Sequence, residues 1–253
     1  MSALTIGAIV FACVFAGAVF GMVLGRVLPK DHLSPDAKDV IKVTMAMIAT
    51  LAALVLGLLT ASAKSSLDEK AGEVRGWAAQ VVLLDRTLAE YGPETSGVRA
   101  LIKQTLAARI DQIWPGHGEA VTFDAVTRGS GVEDVQRKLL ELTPQTDAQR
   151  WLQSTALTIS GTMAATRLSA LQGLASDIQW PFMTILVFWL AVIFTSFGLF
   201  APRSPIVTAA LFVAALSVAG SIYLILEMDQ PYSGLIKISS APVRAALQQL
   251  GQP

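Results

Sequence analysis

The sequence predicts an all-α integral membrane protein, with four transmembrane helices in two hairpins and a helical, water-exposed domain inserted between them. Three observations predict it. The chain is 53% hydrophobic and only 15% charged, against the roughly one quarter charged residues that a soluble domain spreads over its surface. Its charges are gathered into a few segments, which leaves four uncharged stretches long enough to cross a bilayer. Between them, apolar residues recur with helical spacing, and no strand-like alternation of useful length occurs.

The first span runs from Leu4 to Gly25, 22 uncharged residues. As a helix they rise about 33 Å, enough for a hydrocarbon core of about 30 Å. A cleaved leader is the rival, since Ala16-Gly17-Ala18 resembles a cleavage site, but no Lys or Arg precedes it and the apolar run continues past it. Gly17, Gly21 and Gly25 recur every four residues on one face, a pattern that lets two helix backbones approach closely in lipid. Tight packing against a neighbour, and with it assembly, is expected of that face. The polar stretch from Arg26 to Lys42 holds Pro29 and Pro35, and Ser34-Pro35-Asp36 has the form of an N-cap, a first-turn proline and an early acid. A helix is expected to begin near Ser34, and its uncharged part, Val43 to Ala63, is the second span.

After Lys64 no breaker occurs before Tyr91-Gly92-Pro93, so the second span is expected to continue into water as one long helix that Gly92-Pro93 stops. A helix from about Glu94 to Trp114 follows, ending at Pro115-Gly116. The segment from Glu119 to Gly131 is the least regular, with Gly129-Ser130-Gly131 as a joint before a helix from Val132 to Leu142. Thr143-Pro144 is read as the cap of a last long helix reaching Trp180. Trp180-Pro181 opens the third span, to Phe200, with Trp180 as an interfacial anchor. Phe182, Phe188, Trp189, Phe194, Phe197 and Phe200 suit it to lipid or helix contact more than to a wet pathway. Pro202-Arg203-Ser204-Pro205 turns into the fourth span, Ile206 to Leu226, and the tail contains Pro231-Tyr232-Ser233-Gly234 before a short helix capped by Ser240. The predicted organisation is therefore 1–63 as the first hairpin, 64–179 as the water-exposed helical domain, 180–226 as the second hairpin and 227–253 as the tail.

Four spans put both termini and the helical domain on one side. Lysine and arginine do not say which: Lys64, Lys70, Arg75, Arg167, Lys237 and Arg244 face Arg26, Lys30, Lys38, Lys42 and Arg203, six against five. A net charge of zero without a polybasic tail excludes nucleic acid as a principal partner. The single cysteine, Cys13, lies in the first span, so no intrachain disulfide forms and the residue is expected to pack or face lipid. His32 and His117 lack a second ligand at metal-binding spacing. No metal or cofactor is expected. Asp124 and the pair Glu133 and Asp134 read as solvated, no nucleophile elbow or phosphate-binding glycine loop occurs, and nothing points to an enzyme.

The informative element is the second span. At 100° per residue, Lys42, Ala46, Ala49, Thr50, Ala53, Gly57, Thr60, Ala61 and Lys64 share one arc of about 120°, with Val43 at its rim. Thr44, Ile48, Leu51, Val55, Leu58, Leu59 and Ser62 occupy the opposite side. Two readings stand. The small face packs against another helix while the lysines snorkel, or it lines a narrow conduit whose hydroxyls meet a passing ion and whose lysines favour anions.

Three segments carry a family resemblance: the run Ala52-Ala53-Leu54-Val55-Leu56-Gly57-Leu58-Leu59-Thr60-Ala61-Ser62-Ala63-Lys64-Ser65-Ser66, then Leu84-Asp85-Arg86-Thr87-Leu88-Ala89-Glu90-Tyr91-Gly92-Pro93-Glu94, and Leu226-Glu227-Met228-Asp229-Gln230-Pro231-Tyr232-Ser233-Gly234. Together they resemble the bacterial bestrophin-like family, itself distantly similar to the bestrophin anion channels. Bestrophins are pentamers whose second transmembrane helix lines the pore, with a cytosolic helical domain between spans two and three and a Pro-Phe-Gly segment after the fourth. The resemblance implies a multi-pass protein of the cell inner membrane with a cytoplasmic helical domain. It also implies a homo-oligomer, a pentamer if assembly follows the bestrophins, and a channel for small inorganic ions, anions first. Lys42, Thr50, Ala53, Gly57, Thr60 and Lys64 would line its pore. The alternative function is a non-conducting scaffold or sensor that binds a partner through the helical domain. Two departures stand out. Leu235-Ile236-Lys237-Ile238 replaces the acidic cluster of calcium-controlled bestrophins, so no calcium site is expected, and any bulky neck must come from Ile48, Leu51 and Val55 on the opposite face.

Overall fold

The computed structural model describes residues 2–27, 35–114, 131–172, 180–202, 204–229 and 234–252. Each uncharged run forms an unbroken helix, because proline occurs in these helices only within the first two positions, where no amide donor is lost. They are α1 (Ala3–Val27), α2 (Pro35–Tyr91), α6 (Trp180–Phe200) and α7 (Pro205–Met228). Between α2 and α6 lie a 3₁₀ turn (Pro93–Thr95), α3 (Ser96–Ile113), α4 (Gly131–Leu140) and α5 (Asp147–Gln172), and α8 (Ala241–Gln249) closes the chain. No strand occurs among the described residues. Among the described residues, four helices are long and apolar enough to cross a membrane: α1, α2, α6 and α7.

The chain divides into two compact units, Met1–Ser66 with Asp177–Asp229, and Leu67–Ser176 with Gln230–Pro253. In the first, α1 packs on α6 and α7. The α1–α6 contact is made backbone to backbone. A Cβ added at Gly17 would lie 2.9 Å from the Ala191 carbonyl oxygen, and one at Gly25 would lie 2.8 Å from that of Leu199. At Gly21 it would overlap the Thr195 carbonyl. From the other side, Gly198 sits against the Ala18 carbonyl in the same way. Val10, Val14 and Ala18 of α1, Leu186 and Ile193 of α6, and Ala215, Ala219 and Ile222 of α7 form the buried centre. Phe11 and Phe15 pack partly buried against it, and the exposed Phe212 stands edge-on to both rings at 5.3 and 5.5 Å. Phe194 is also buried there, whereas Phe182, Phe188 and Phe197 point outward.

In the second unit α4 packs on α3 and α5, and α8 packs on α3. Gly92 ends α2 at φ 137°, where a side chain would be strained. The Thr95 hydroxyl then sits between the carbonyls of Leu88, at 2.5 Å, and Gly92, at 2.8 Å. Two caps differ from the sequence expectation. α5 begins at Asp147, not at Thr143-Pro144, because Thr146 accepts from the Gln149 amide at 3.1 Å. Gln153 meanwhile donates to the carbonyls of Leu139 and Leu142, satisfying the end of α4. At α8, Ser240 occupies the cap position without capping: Ser239 accepts from the Ala241 amide, and the Ser240 hydroxyl accepts from Arg244. The expected features at Ser34, His32, Pro115-Gly116, His117, Asp124, Gly129-Ser130, Arg203 and Pro231-Tyr232-Ser233, and the side chain of Trp180, lie outside the described residues.

The glycine contact yields a comparison that separates close approach from simple helix preference. Gly21→Ala is expected to destabilise the protein by about 2 kcal/mol through overpacking. At Gly57 an added Cβ meets nothing within 4 Å, and Gly57→Ala should be neutral or stabilising by up to about 1 kcal/mol. Thermal unfolding of both variants in nanodiscs checks this; equal melting behaviour would show that the α1–α6 approach is not tight.

Candidate functional site

The apolar half of α2 has three sides, set by what each touches. One stripe, with Ile48, Ala52, Val55, Leu56, Leu59 and Ala63, packs on the core of the first unit. A second side carries exposed bulky residues: Val43, Met47, Leu51, Leu54 and Leu58. The third is the small face. Lys42, Ala46, Thr50, Ala53, Gly57, Thr60, Ala61 and Lys64 are all exposed on the chain, and only Ala49, at its edge, touches the core. The six residues singled out from sequence thus lie together on one side of one helix, turned away from the rest of their unit. Lys42 and Lys64 are separated by about 33 Å of helix. Of the residues that a bulky neck needs, Ile48 and Val55 are taken up by the chain's own core, while Leu51 stays half exposed.

The hydroxyls on this side are already bonded. Thr50 donates to the Ala46 carbonyl at 2.9 Å and Thr60 to that of Leu56 at 2.8 Å. In a low-dielectric surrounding this removes the penalty of an unpaired donor and leaves each oxygen as an acceptor. Lys42 forms an ion pair with Asp39 at 3.3 Å, both side chains well exposed. Such a pair is weak, yet it offsets part of the positive field at that end. Gly17, Gly21 and Gly25 are spent on α6 of the same chain, as described above.

Sequence reasoning missed a second polar centre, in the other unit. Asp85 is only 2% exposed. Its carboxylate accepts two bonds from Arg99, at 2.8 and 2.9 Å, and one from the Gly251 amide at 3.1 Å. Arg99 also donates to the Gln252 carbonyl and Lys103 to that of Leu250. Gly251, at φ 80°, makes the turn that aims its amide inward. Nearby, the Trp114 indole donates to Ile238. One buried acid thus clasps the end of the chain to α2 and α3. Burial alone would raise the Asp85 pKa, but the bonds from Arg99 and Gly251 and the charges of Arg99 and Lys103 outweigh it and hold the carboxyl below its ordinary range. Glu227, at the end of α7, is a further buried acid. No group of three or more His, Cys, Asp or Glu residues near enough to hold a metal occurs among the described residues.

A depressed folded pKa contributes stability above the unfolded value of about 3.9 and loses it as pH falls through the folded value. Asp85→Asn is expected to lower stability at pH 7 by about 3 kcal/mol, since it leaves a largely buried guanidinium without its carboxylate. The gap from the unmodified protein should narrow as pH falls below about 4. Urea unfolding at pH 7 and pH 3, with limited proteolysis of the tail, reads both effects.

The sequence matches the family described as the bestrophin-like domain over residues 12–243. No curated protein and no solved structure matches it.

Proposed function

The chain belongs to the bestrophin-like family, and from that premise we propose that it is a homo-oligomeric membrane channel for small anions whose α2 lines the pathway. One observation carries the reading: the face of α2 made of small and hydroxylated residues, with a lysine at each end, is turned away from the helices of its own unit. A single helix face cannot enclose a conduit. Several copies around an axis can, and small side chains at Ala46, Ala53, Gly57 and Ala61 then leave room for an ion that keeps part of its water. The Thr50 and Thr60 oxygens accept from that water, and turning a hydroxyl from its backbone carbonyl to an ion gives up a bond worth about 1 kcal/mol. Preference for anions rests on the lysines at the two ends of the face, Lys42 and Lys64, with Asp39 offsetting part of the charge of Lys42.

In the proposed topology α1, the first half of α2, α6 and α7 cross the bilayer, and both termini share a side with the helical domain. Cysteines placed at Ser2, Ser34, Ser130 and Ser204 in a background lacking Cys13 should label two and two: Ser2 with Ser130, and Ser34 with Ser204. Labelling of Ser34 and Ser130 from one side would refute this arrangement.

The pathway is tested by flux into liposomes. Gly57→Leu should cut anion flux by about tenfold or more while the oligomer persists, because a bulky side chain from every copy meets the driest part of the conduit. Lys64→Glu should lower anion preference most at low salt, where the Debye length is about 30 Å rather than about 8 Å. Flux that survives Gly57→Leu moves the pathway to another face of α2. No flux from the unmodified protein with any ion or potential supports the scaffold reading instead.

A further inference from the structure

The second unit contains a cavity of about 170 Å³ that neither the tail clasp nor the ion pathway uses. Val81 and Leu84 of α2, Ile102 and Leu106 of α3, Val135 of α4 and Met163 of α5 line it, and all six are buried. The same residues make up the apolar core of this unit, so the space opens within the core. Packed cores hold few voids larger than a water molecule, and one of this size calls for an occupant. Water is a poor one, because a buried water needs about three polar partners. Among the described residues Ser160 is the one buried polar residue in the wall, and its hydroxyl already donates to the Leu157 carbonyl at 2.9 Å. An apolar molecule fits the wall better: a cavity of about 150 Å³ lined by aliphatic and aromatic side chains stays dry and takes up benzene. The charged residues that also line the space, Glu73, Arg109 and Arg167, are only partly buried, and Arg167 holds Glu133 at 3.3 Å. An ionised ligand among the core residues would have to shed the water around its charge, whereas an uncharged one gives up little.

We propose that this cavity is a binding site for a small uncharged apolar molecule, an aromatic ring or branched alkyl body without an ionised group, seated among Leu106, Val135 and Met163. The site lies within one unit and does not depend on the channel reading. Flux therefore plays no part in its test.

The probes are fluorobenzene and its charged analogue 4-fluorophenylacetate, titrated into the full chain in nanodiscs and followed by fluorine NMR. Empty nanodiscs give the reference for simple partition into lipid. Fluorobenzene should show a saturable bound resonance that empty nanodiscs lack, and should bind about tenfold or more tighter than the acid. Val81→Phe and Val135→Phe each place a ring in the space from a different helix. Both should weaken fluorobenzene by about tenfold or more while the ligand-free protein melts no lower than before, since filling a void does not loosen a core. Val135→Ala enlarges the space instead, and should strengthen binding of the larger 1-fluoronaphthalene by about tenfold. Uptake that never saturates would overturn the proposal, as would an acid that binds as tightly as fluorobenzene. So would fluorobenzene binding that survives in a filled variant of unchanged melting temperature. Should both filled variants fail to fold, Val135→Ala decides, and no gain for 1-fluoronaphthalene would overturn the assignment.

Discussion

The backbone contact between α1 and α6 is the constraint on which the first unit depends. In lipid, where the proposed topology puts these helices, there is no hydrophobic drive between them, and close packing and dispersion have to supply the association. Here Gly17, Gly21, Gly25 and Gly198 let two backbones meet where any side chain would hold them apart. Because the glycines serve this contact, the aromatic mass of α1 is free to turn the other way, where Phe11 and Phe15 close on Phe212 of α7. A core already filled by α1, α6 and α7 leaves α2 with a narrow berth. It engages that core with one stripe and presents its remaining two sides outward. The exposure of the α2 small face thus follows from glycines on another helix.

The second unit solves a different problem, that of fixing a chain end by polar means. Its apolar core draws on α2, α3, α4 and α5, and the end of the chain adds Val243 and Ala246 of α8 and the following Leu250, with Leu247 partly buried beside them. Asp85 supplies what that small contribution lacks. Burying the carboxylate costs free energy on its own, and three hydrogen bonds offset the cost. Two of them come from α3 and one from the last turn of the chain. The acid is satisfied only when all three parts are in place, so the clasp makes the docking of the tail conditional on the packing of α2 against α3.

Much of this was legible in the sequence, and the parts that were not share a physical reason. Uncharged runs and the Gly92-Pro93 break fixed the long helices within a few residues, since backbone stops are local. The start of α5 was misplaced because Thr143-Pro144 and Thr146-Asp147 carry the same cap chemistry, and only Thr146 finds the geometry. The small face of α2 could be read from a 100° wheel, but a wheel does not say which side meets the chain's own core. Ile48 and Val55, which that wheel offers for a neck, pack partly buried against the chain's own core. The clasp joins residues 14 and 166 positions apart, so no local pattern announced it, although Asp85 stands inside a segment that carried the family resemblance.

The chemistry of α2 also limits what the channel reading can ask of it. Threonines bonded to their own helix give the conduit oxygens more readily than donors, and oxygens alone would favour cations. An anion would have to cross the middle of the span with water as its main hydrogen-bond partner. That demands width, which alanine and glycine at 46, 53, 57 and 61 supply, and it demands a positive potential at the mouths, which Lys42 and Lys64 supply against the opposing charge of Asp39. Selectivity built this way comes from long-range charge more than from close coordination. It discriminates sign better than size, and it fades as salt shortens the reach of the lysines.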